Sequence, residues 1–229
     1  MSLSPIKREL LESMFLCEKP AKAMEIAKEA KKEFQPAMMH LLGLIKMGYI
    51  SCPEKGLYLI TEKGKRAIGV PETTKEKAVA ILAYIPHDKA FHFYATVGQP
   101  LSMHSHNLRD FAHKIERADP ISLEFHTKRG DFEAWFKGIG DEVLAKKMVL
   151  LTKRNLQGEA LRDMLYCIVN TRYRELAKLT GQVFPEDEIE PEHNHDHAAE
   201  HTHEHTHENG EAHSHAHAHP HGGHTHTHA

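Results

Sequence analysis

Apolar residues between positions 35 and 69 change from a helical spacing to two short runs, and the rest of the chain is organised around this stretch. Leu41, Leu44 and Ile45 fall on one face of a helix, which their spacing predicts over residues 36–47. The segment opens with a proline, which suits a first helical turn, and Gly48 follows it as a typical helix stop. The pattern therefore predicts an amphipathic helix that ends at a turn.

The two short apolar runs after this helix predict a β-hairpin. Tyr49-Ile50 and residues 57–60 (LYLI) flank the turn sequence PEKG at 53–56. Thr61 is suited to cap one more short helix. Gly64 lies within that helix, where glycine lowers helix stability. The predicted order over residues 35–69 is helix, hairpin, short helix.

The residues before this stretch predict two further helices. The first begins at Ser4-Pro5 and carries its apolar face on Ile6, Leu10, Leu11 and Met14. Residues 23–31 predict the second, and residues 32–34 the turn that follows it. With the motifs L-x-x-L-x-x-x-G-Y-I at 41–50 and Y-x-I-T-E-K-G at 58–64, residues 1–70 resemble the winged helix-turn-helix of small prokaryotic transcriptional regulators.

The winged-helix resemblance implies a DNA-binding surface. In that family the helix at 36–47 is the recognition helix, the hairpin is the wing, and basic residues fix the register on the phosphates. The implied phosphate contacts are Lys31, Lys32, Lys46, Lys55, Lys63, Lys65 and Arg66. The helix positions expected to face DNA are Gln35, Met38, Met39, His40, Leu42 and Gly43.

Two of these helix positions, Gln35 and His40, can hydrogen-bond to base edges. The remaining positions, which include Met38, are unusually apolar for a helix that contacts base edges. A module for protein interaction or dimerisation therefore stays open as the alternative to DNA binding.

Residues 71–89 predict a polar linker followed by a connecting helix. The linker PETTKEK at 71–77 has turn chemistry, and the apolar residues 78–85 continue a helix from about Thr74. Pro86 then breaks that helix, and a second domain is predicted over residues 90–182.

The second domain is predicted to mix strands and helices. Alternation in FHFYATV (91–97) predicts a strand with one buried face, and alternation in ISLEFH (121–126) predicts another. Asn107 can cap a helix that reaches Ile115. A final helix at 157–179, ~30 Å long, is a candidate dimerisation surface. Its apolar stripe is Leu161, Leu165, Ile168 and Leu176, and helices are also predicted at 132–137 and 141–151.

The run FHTKRGDFEAWF, with its H-x-x-R-G-D-F-x-x-W signature, resembles a small domain of unknown function from archaea and bacteria. The resemblance covers residues 91–179 and implies a boundary but no chemistry. On the residues themselves, Asp131 is predicted to cap the next helix, whose Phe132, Trp135 and Phe136 are predicted to be core. A ligand or anion site is an alternative for His92, His104, His126 and Arg129, and His104-Ser105-His106 is either a metal pair or a surface loop.

Composition excludes several classes of protein. The 229 residues suit one to two domains, and the hydrophobic content of 40% is enough for a core. No apolar run approaches the ~20 residues that span a bilayer, and no secretory pattern opens the chain. The cysteines, Cys17, Cys52 and Cys167, cannot all pair and predict a reducing, cytoplasmic setting. Without a phosphate loop, nucleophile elbow or H-E-x-x-H motif, the chain is not predicted to be an enzyme.

Charge divides the chain into two unequal parts. The net charge is −3, but all 29 Lys and Arg residues precede residue 179, and residues 183–229 hold ten of the 32 acidic residues. Residues 1–182 therefore carry an excess of seven positive charges, since 29 basic residues face 22 acidic ones. A basic body with an acidic tail is compatible with nucleic-acid binding.

Residues 183–229 form a histidine-rich, acidic tail with almost no apolar side chains, so they are predicted to be disordered. Neutral imidazoles at i and i+2 can converge on one ion, and imidazole suits Zn, Ni and Cu. A solubilising tail without a metal role is the alternative. The predicted ligands are His193, His195, His197, His201, His203, His205, His207, His213, His215, His217, His219, His221, His224, His226 and His228.

Together these patterns predict a mainly α protein with small β elements (α+β). Its expected parts are a winged helix (1–70), a linker and connecting helix (71–89), an α+β or mostly helical domain (90–182) and the tail (183–229). The expected function is a cytoplasmic, dimeric regulator that binds double-stranded DNA and is linked to a divalent metal through its tail. The alternative is a metal storage or delivery protein whose winged helix contacts another protein.

Overall fold

The computed structural model describes residues 3–182, 202–206 and 212–216. The protein is mainly α-helical with small antiparallel sheets, as the sequence predicts. In residues 3–182 the elements are α1 (Pro5–Phe15), β1 (Ala21–Lys22), α2 (Ala23–Glu29), α3 (Phe34–Lys46), β2 (Ile50–Glu54), β3 (Leu57–Ile60), α4 (Glu62–Ala67), α5 (Lys75–Leu82), β4 (Phe91–Thr96), β5 (Gln99–Ser105), α6 (Leu108–Arg117), α7 (Pro120–Arg129), α8 (Asp131–Gly138), α9 (Glu142–Thr152) and α10 (Gly158–Thr180).

The first four helices surround a three-stranded sheet with the strand order β1-β3-β2. The short strand β1 pairs with β3 before α2 begins, so the helix pair α2–α3 is attached to the hairpin β2–β3. The hairpin differs from its prediction because β2 extends through Glu54, which leaves Lys55-Gly56 as the turn. Gly56 has a φ of +82°, a conformation that glycine adopts without steric cost.

The cap predicted at Thr61 is present and joins two elements. Its Oγ1 accepts a hydrogen bond from Gly64 N at 3.1 Å and donates one to Gly48 O at 2.8 Å. A Cβ on Gly64 would lie 2.1 Å from Tyr49 O, so only glycine lets α4 lie this close to the start of the hairpin. The helical glycine that costs stability locally is therefore required by tertiary packing.

The prediction of a strand at 121–126 is wrong, because these residues belong to α7. Asp119 caps that helix by accepting a hydrogen bond from Ile121 N at 2.8 Å, and a proline fills its first position. Leu123, His126 and Thr127 are buried at helical spacing. Alternation over six residues fits a helix as well as a strand, and the Asp119-Pro120 pair before it is a helix-start signal.

The predicted cap at Asp131 is also wrong. Gly130 ends α7 in the left-handed region, at φ +75°, and is also the residue before α8. Asp131 is the first residue of α8, and its carboxylate bonds His126 and Arg129 instead of capping the helix. The core prediction holds for Phe132 and Phe136, while Trp135 is only half-buried.

The apolar stripe of α10 faces the interior of this chain. Leu161, Leu165, Ile168 and Leu176 are all buried, and α10 packs on α5, α6 and α7. The stripe is therefore not available as the predicted dimerisation surface.

Residues 1–183 form one compact unit, in which one hydrophobic core extends from α1 to α10. Polar contacts join its two ends as well. Glu18, after α1, forms ion pairs with Lys65 of α4 and Lys147 of α9. The segments predicted at 1–70 and 90–182 thus lie in the same unit.

The second compact unit, residues 184–229, is described only at two strands, β6 (Thr202–Thr206) and β7 (Ala212–Ala216). They pair antiparallel, with His203 opposite His215 and His205 opposite His213. For these ten residues the structure differs from the predicted absence of regular structure, because alternation with period two also allows backbone pairing. The other predicted tail residues lie outside the described part of the chain.

Among the described residues, every helix is too short or too polar to cross a membrane.

Candidate functional site

The exposed face of α3 is the surface that the winged-helix resemblance assigns to DNA. Gln35, Met39, Leu42 and Lys46 are exposed along it at helical spacing, while the opposite face is buried against the core. Gln35 has the side-chain amide of a residue that can read base edges. Met39 is 75% exposed and Leu42 is 48% exposed, so the middle of this face is apolar.

Three other α3 positions expected to face DNA are less accessible. Met38, His40 and Gly43 are half-buried because they lie between the buried and exposed faces of the helix. A Cβ on Gly43 would lie 3.4 Å from the Nζ atom of Lys7, which covers that position. His40 keeps part of its side chain exposed.

Four predicted phosphate contacts are exposed around the helix pair and the hairpin. Lys31 ends the turn after α2, Lys46 ends α3, and Lys55 lies at the tip of the hairpin. Lys63 donates a hydrogen bond to Met47 O at 2.7 Å, which holds its ammonium group near the end of α3. Lys46 and Lys55 therefore lie on the helix and the hairpin that the resemblance assigns to DNA, while Lys31 and Lys63 lie on neighbouring elements.

The other predicted phosphate contacts are engaged by carboxylates: Lys32 by Glu9, Arg66 by Glu72, and Lys65 by Glu18 and Glu62. Lys32 and Arg66 remain partly exposed, and such surface pairs exchange partners at little cost. Only 12% of the Lys65 side chain is exposed. We therefore assign Lys65 to the ion pairs with Glu18 and Glu62 and leave it out of the candidate DNA surface.

An apolar patch, which we define as Met24, Phe34, Met39 and Leu42, lies on α2 and α3. All four are among the large hydrophobic side chains that the protein exposes. Exposed apolar patches on a monomer mark interaction sites more often than isolated side chains do.

A cluster of histidines lies where the loop after α5 meets the β4–β5 hairpin. We call His87, His104 and His106 the histidine triad. Each offers a ring nitrogen, and the three nitrogens lie within 4.8 Å of one another. The ring centroids of His87 and His104 are 4.8 Å apart, as are those of His104 and His106.

The orientation of His106 is fixed by the loop. Its Nδ1 lies 2.9 Å from Ile85 O, and its backbone carbonyl accepts a hydrogen bond from Ile85 N at 2.7 Å. Because a carbonyl can only accept, Nδ1 carries the proton and Nε2 holds a free lone pair. The ring also stacks on Tyr84 at a centroid distance of 4.9 Å.

A fourth histidine, His92, supports the cluster from the neighbouring strand. It pairs with His104 in the β4–β5 register. Its Nε2 lies 2.9 Å from His87 O and donates to that carbonyl, which fixes the backbone at His87.

The electrostatic surroundings favour the neutral form of His104. Partial desolvation and the nearby His87, His106 and Lys114 lower the pKa of His104 below its usual range. Lys114 donates to His104 O and to Asp110 Oδ1, the latter at 2.8 Å. The Asp110 carboxylate thereby balances the lysine charge, and a neutral imidazole is the form that binds metals.

His126 has a structural role and is not a free ligand. Its Nε2 accepts a hydrogen bond from Tyr94 N at 2.9 Å, so its Nδ1 donates to Asp131 Oδ2 at 2.8 Å. Burial lowers the pKa of His126, although Asp131 acts in the opposite direction. Both ring nitrogens are therefore used within the fold.

The predicted ligand set is divided between two neighbouring places. His126 and Arg129 line a pocket of about 250 Å³, to which His92 also contributes. His104 lies instead in the histidine cluster. His87 is a cluster member that the sequence pattern does not predict, because its only signal is its place in a loop that follows a helix. His106 belongs to the H-x-H pair for which a metal site and a surface loop are both predicted.

The chain matches no protein-family model, no curated protein and no solved structure at a significant level.

Proposed function

We propose that this protein is a DNA-binding transcriptional regulator whose DNA affinity responds to Zn, Ni or Cu bound by its histidine-rich tail. We further propose that it acts in the cytoplasm as a homodimer, since helix-turn-helix proteins usually read paired half-sites.

The arrangement of α2, α3 and the β2–β3 hairpin carries this proposal. Over residues 5–67 the predicted order of three helices, a hairpin and a short helix is present, with β1 as an additional short strand, and this order supports the proposal. Exposed lysines lie on the turn before α3, at its end and at the hairpin tip, where phosphate contacts would fix the register. Gln35 lies exposed in the first turn of α3, where it can reach base edges.

The charge of the tail can change the DNA affinity of the protein. Residues 183–229 carry ten acidic and no basic side chains, whereas the body carries the positive excess. A metal-free tail competes with DNA for basic surface, and bound divalent ions reduce that competition. Metal should therefore raise DNA affinity in the full-length protein.

The main test compares full-length protein with protein truncated at Pro191. DNA binding is measured by mobility shift at low salt, where the phosphate contribution is largest, with and without Zn, Ni and Cu. Residues 1–183 form a compact unit of their own, so the truncation leaves that unit complete. We expect a metal response in the full-length protein and none after truncation. An unchanged response after truncation contradicts the role of the tail.

Single variants test the DNA surface itself. Lys46→Ala should weaken binding to all sequences and lower the salt dependence by about one phosphate contact. Gln35→Ala should cost about 1–3 kcal/mol on a specific site and little on random DNA. Lys137→Ala is the matched control, because Lys137 is an exposed lysine on α8. Equal effects of Lys46→Ala and Lys137→Ala would argue against α3 as the contact surface.

The apolar patch favours a second candidate, a metal storage or delivery protein that uses its winged helix to contact another protein. Met39 at 75% exposure and Met24 at 58% are unusual on a surface that contacts phosphates. Absence of DNA binding at low salt under every metal condition would favour this candidate.

A further inference from the structure

We propose that the histidine triad is a binding site for one divalent transition-metal ion, separate from the tail histidines. Its ligands are His87 from the loop after α5, His104 from the end of β5, and His106 directly after β5. The site lies within residues 1–183 and does not depend on DNA binding. The metal-site proposal can therefore be tested separately from the proposed function.

The spacing of the triad is close to that of a coordination sphere. Its ring nitrogens lie within 4.8 Å of one another. Zinc–nitrogen distances of 2.0–2.1 Å place tetrahedral ligand atoms about 3.3 Å apart. His87 is exposed and lies in a loop, so rotation of its side chain can close the difference without moving the hairpin.

Two of the ligands are already held in place. His106 donates its Nδ1 proton to Ile85 O at 2.9 Å, which leaves Nε2 directed to the ion. Metal-bound histidines generally use their second nitrogen in this way, because the hydrogen bond fixes the tautomer and the ring orientation. His104 is held through its backbone carbonyl, which accepts from Lys114.

His92 acts as a positioning residue. Its hydrogen bond to His87 O, at 2.9 Å, ties the loop backbone to β4. The ring of His92 also lies edge-on to the ring of His87 at a centroid distance of 4.8 Å.

The ligand chemistry selects the class of ion. Three imidazoles without a carboxylate suit Zn, Ni, Cu or Co, whereas Mg and Ca prefer oxygen ligands. The fourth position faces solvent, because His87 is exposed and His104 and His106 are only half-buried. Such a site exchanges its fourth ligand, as open three-histidine sites do.

Thermal unfolding of the full-length protein separates this site from the tail. Tail ligands lie close together in sequence, so they bind metal in the folded and the unfolded chain alike and add little stability. The triad exists only in the folded chain, and ligands that bind only the folded state raise Tm. At a zinc concentration of 100 times Kd, we expect Tm to rise by about 5–10 °C. Magnesium at the same concentration should leave Tm unchanged.

His87→Ala and His104→Ala should each abolish the zinc-induced rise in Tm. His87 is exposed, so the metal-free Tm of its variant should stay close to that of the wild type. The matched control is His113→Ala, since His113 is an exposed histidine on α6, outside the triad, whose Nδ1 lies 3.6 Å from a Glu116 carboxylate oxygen. This control should retain the full rise, and so should protein truncated at Pro191.

Histidine modification by diethyl pyrocarbonate, read residue by residue with mass spectrometry, gives a second measurement on the full chain. Zinc should protect His87, His104 and His106 together and leave His113 reactive. The proposal is overturned if zinc gives no rise in Tm in the wild type, or if the rise persists in His87→Ala and His104→Ala. Protection confined to the tail histidines would overturn it as well.

Discussion

At the scale of single residues, tertiary contacts explain several residue types that the local sequence pattern does not. Gly64 lies in a helix, where glycine is unfavourable, because Tyr49 O lies where a Cβ would be. Asp141 is fully buried and serves two functions at once. Its Oδ1 caps α9 through Val143 N at 3.1 Å, and its Oδ2 pairs with Arg172 at 3.0 Å.

Gly64→Ala should destabilise the protein by about 1–3 kcal/mol, because the new methyl group must displace backbone. Gly43→Ala is the matched control, since its Cβ meets only the flexible end of Lys7 at 3.4 Å. That control should be neutral or stabilising by up to about 1 kcal/mol. Urea unfolding of both variants gives the comparison, and equal effects would contradict the close approach at Gly64.

Asp141→Ala should cost about 3–5 kcal/mol, because it leaves the buried Arg172 guanidinium without its main partner. Glu175 contacts the same guanidinium at 2.9 Å but is 37% exposed. Glu175→Ala should therefore cost less than about 1 kcal/mol. The free energy of unfolding of the two variants measures the difference, and a similar cost for both would rule out burial as its cause.

At the scale of elements, polar contacts hold helices together that are distant in sequence. Glu18 follows α1 and lies between Lys65 of α4 and Lys147 of α9, with a distance of 2.7 Å from its Oε1 to Lys147 Nζ. Burial favours a higher pKa for Glu18, but the two lysines outweigh it and lower the pKa below the usual value of 4.5. The carboxylate is therefore stabilised in the folded state.

This ion-pair cluster should make stability depend on pH in the acid range. A carboxyl group with a lowered pKa in the folded state adds stability above its unfolded pKa, and that stability is lost as pH falls. Glu18→Gln should be less stable than wild type at pH 7, and the gap should narrow below about pH 4.5. Urea unfolding between about pH 7 and pH 3 measures this, with the exposed Glu54→Gln as the control. A gap that does not change with pH would exclude the charge of Glu18 as its origin.

At the scale of the whole molecule, the segments that the sequence separates at residues 70 and 90 share one core. The buried residues form a single cluster from Leu10 to Leu176. A hydrogen bond also links α10 to the segment before α5, because Arg172 donates to Thr73 Oγ1 at 2.8 Å. The changes in residue pattern near residues 70 and 90 therefore do not separate two hydrophobic cores.

Residues 1–183 should unfold in one cooperative transition. A shared core leaves neither part with a complete interior of its own, so loss of one exposes the other. Calorimetry of the full-length protein should give a calorimetric enthalpy equal to the van't Hoff enthalpy. Two separated transitions, or an enthalpy ratio well above one, would show that the two segments are independent domains.

Elements whose signals are local can be predicted from the residue pattern alone. The caps at Thr61 and Asn107, the start of α1 at Ser4-Pro5 and the long amphipathic helix ending near residue 180 follow from side chains within a few positions of one another. The mainly α fold class follows from the same short-range patterns. The strand predicted at 121–126 failed because six residues are too few to separate period two from period 3.6.

Which distant residues meet depends on the tertiary fold. The fold brings His87 to His104 and His106, and it pairs Lys65 with Glu18 instead of leaving it free on the predicted DNA surface. It also turns the apolar stripe of α10 inward. Such contacts depend on how the elements pack, and packing is a property of the whole core that no local spacing encodes.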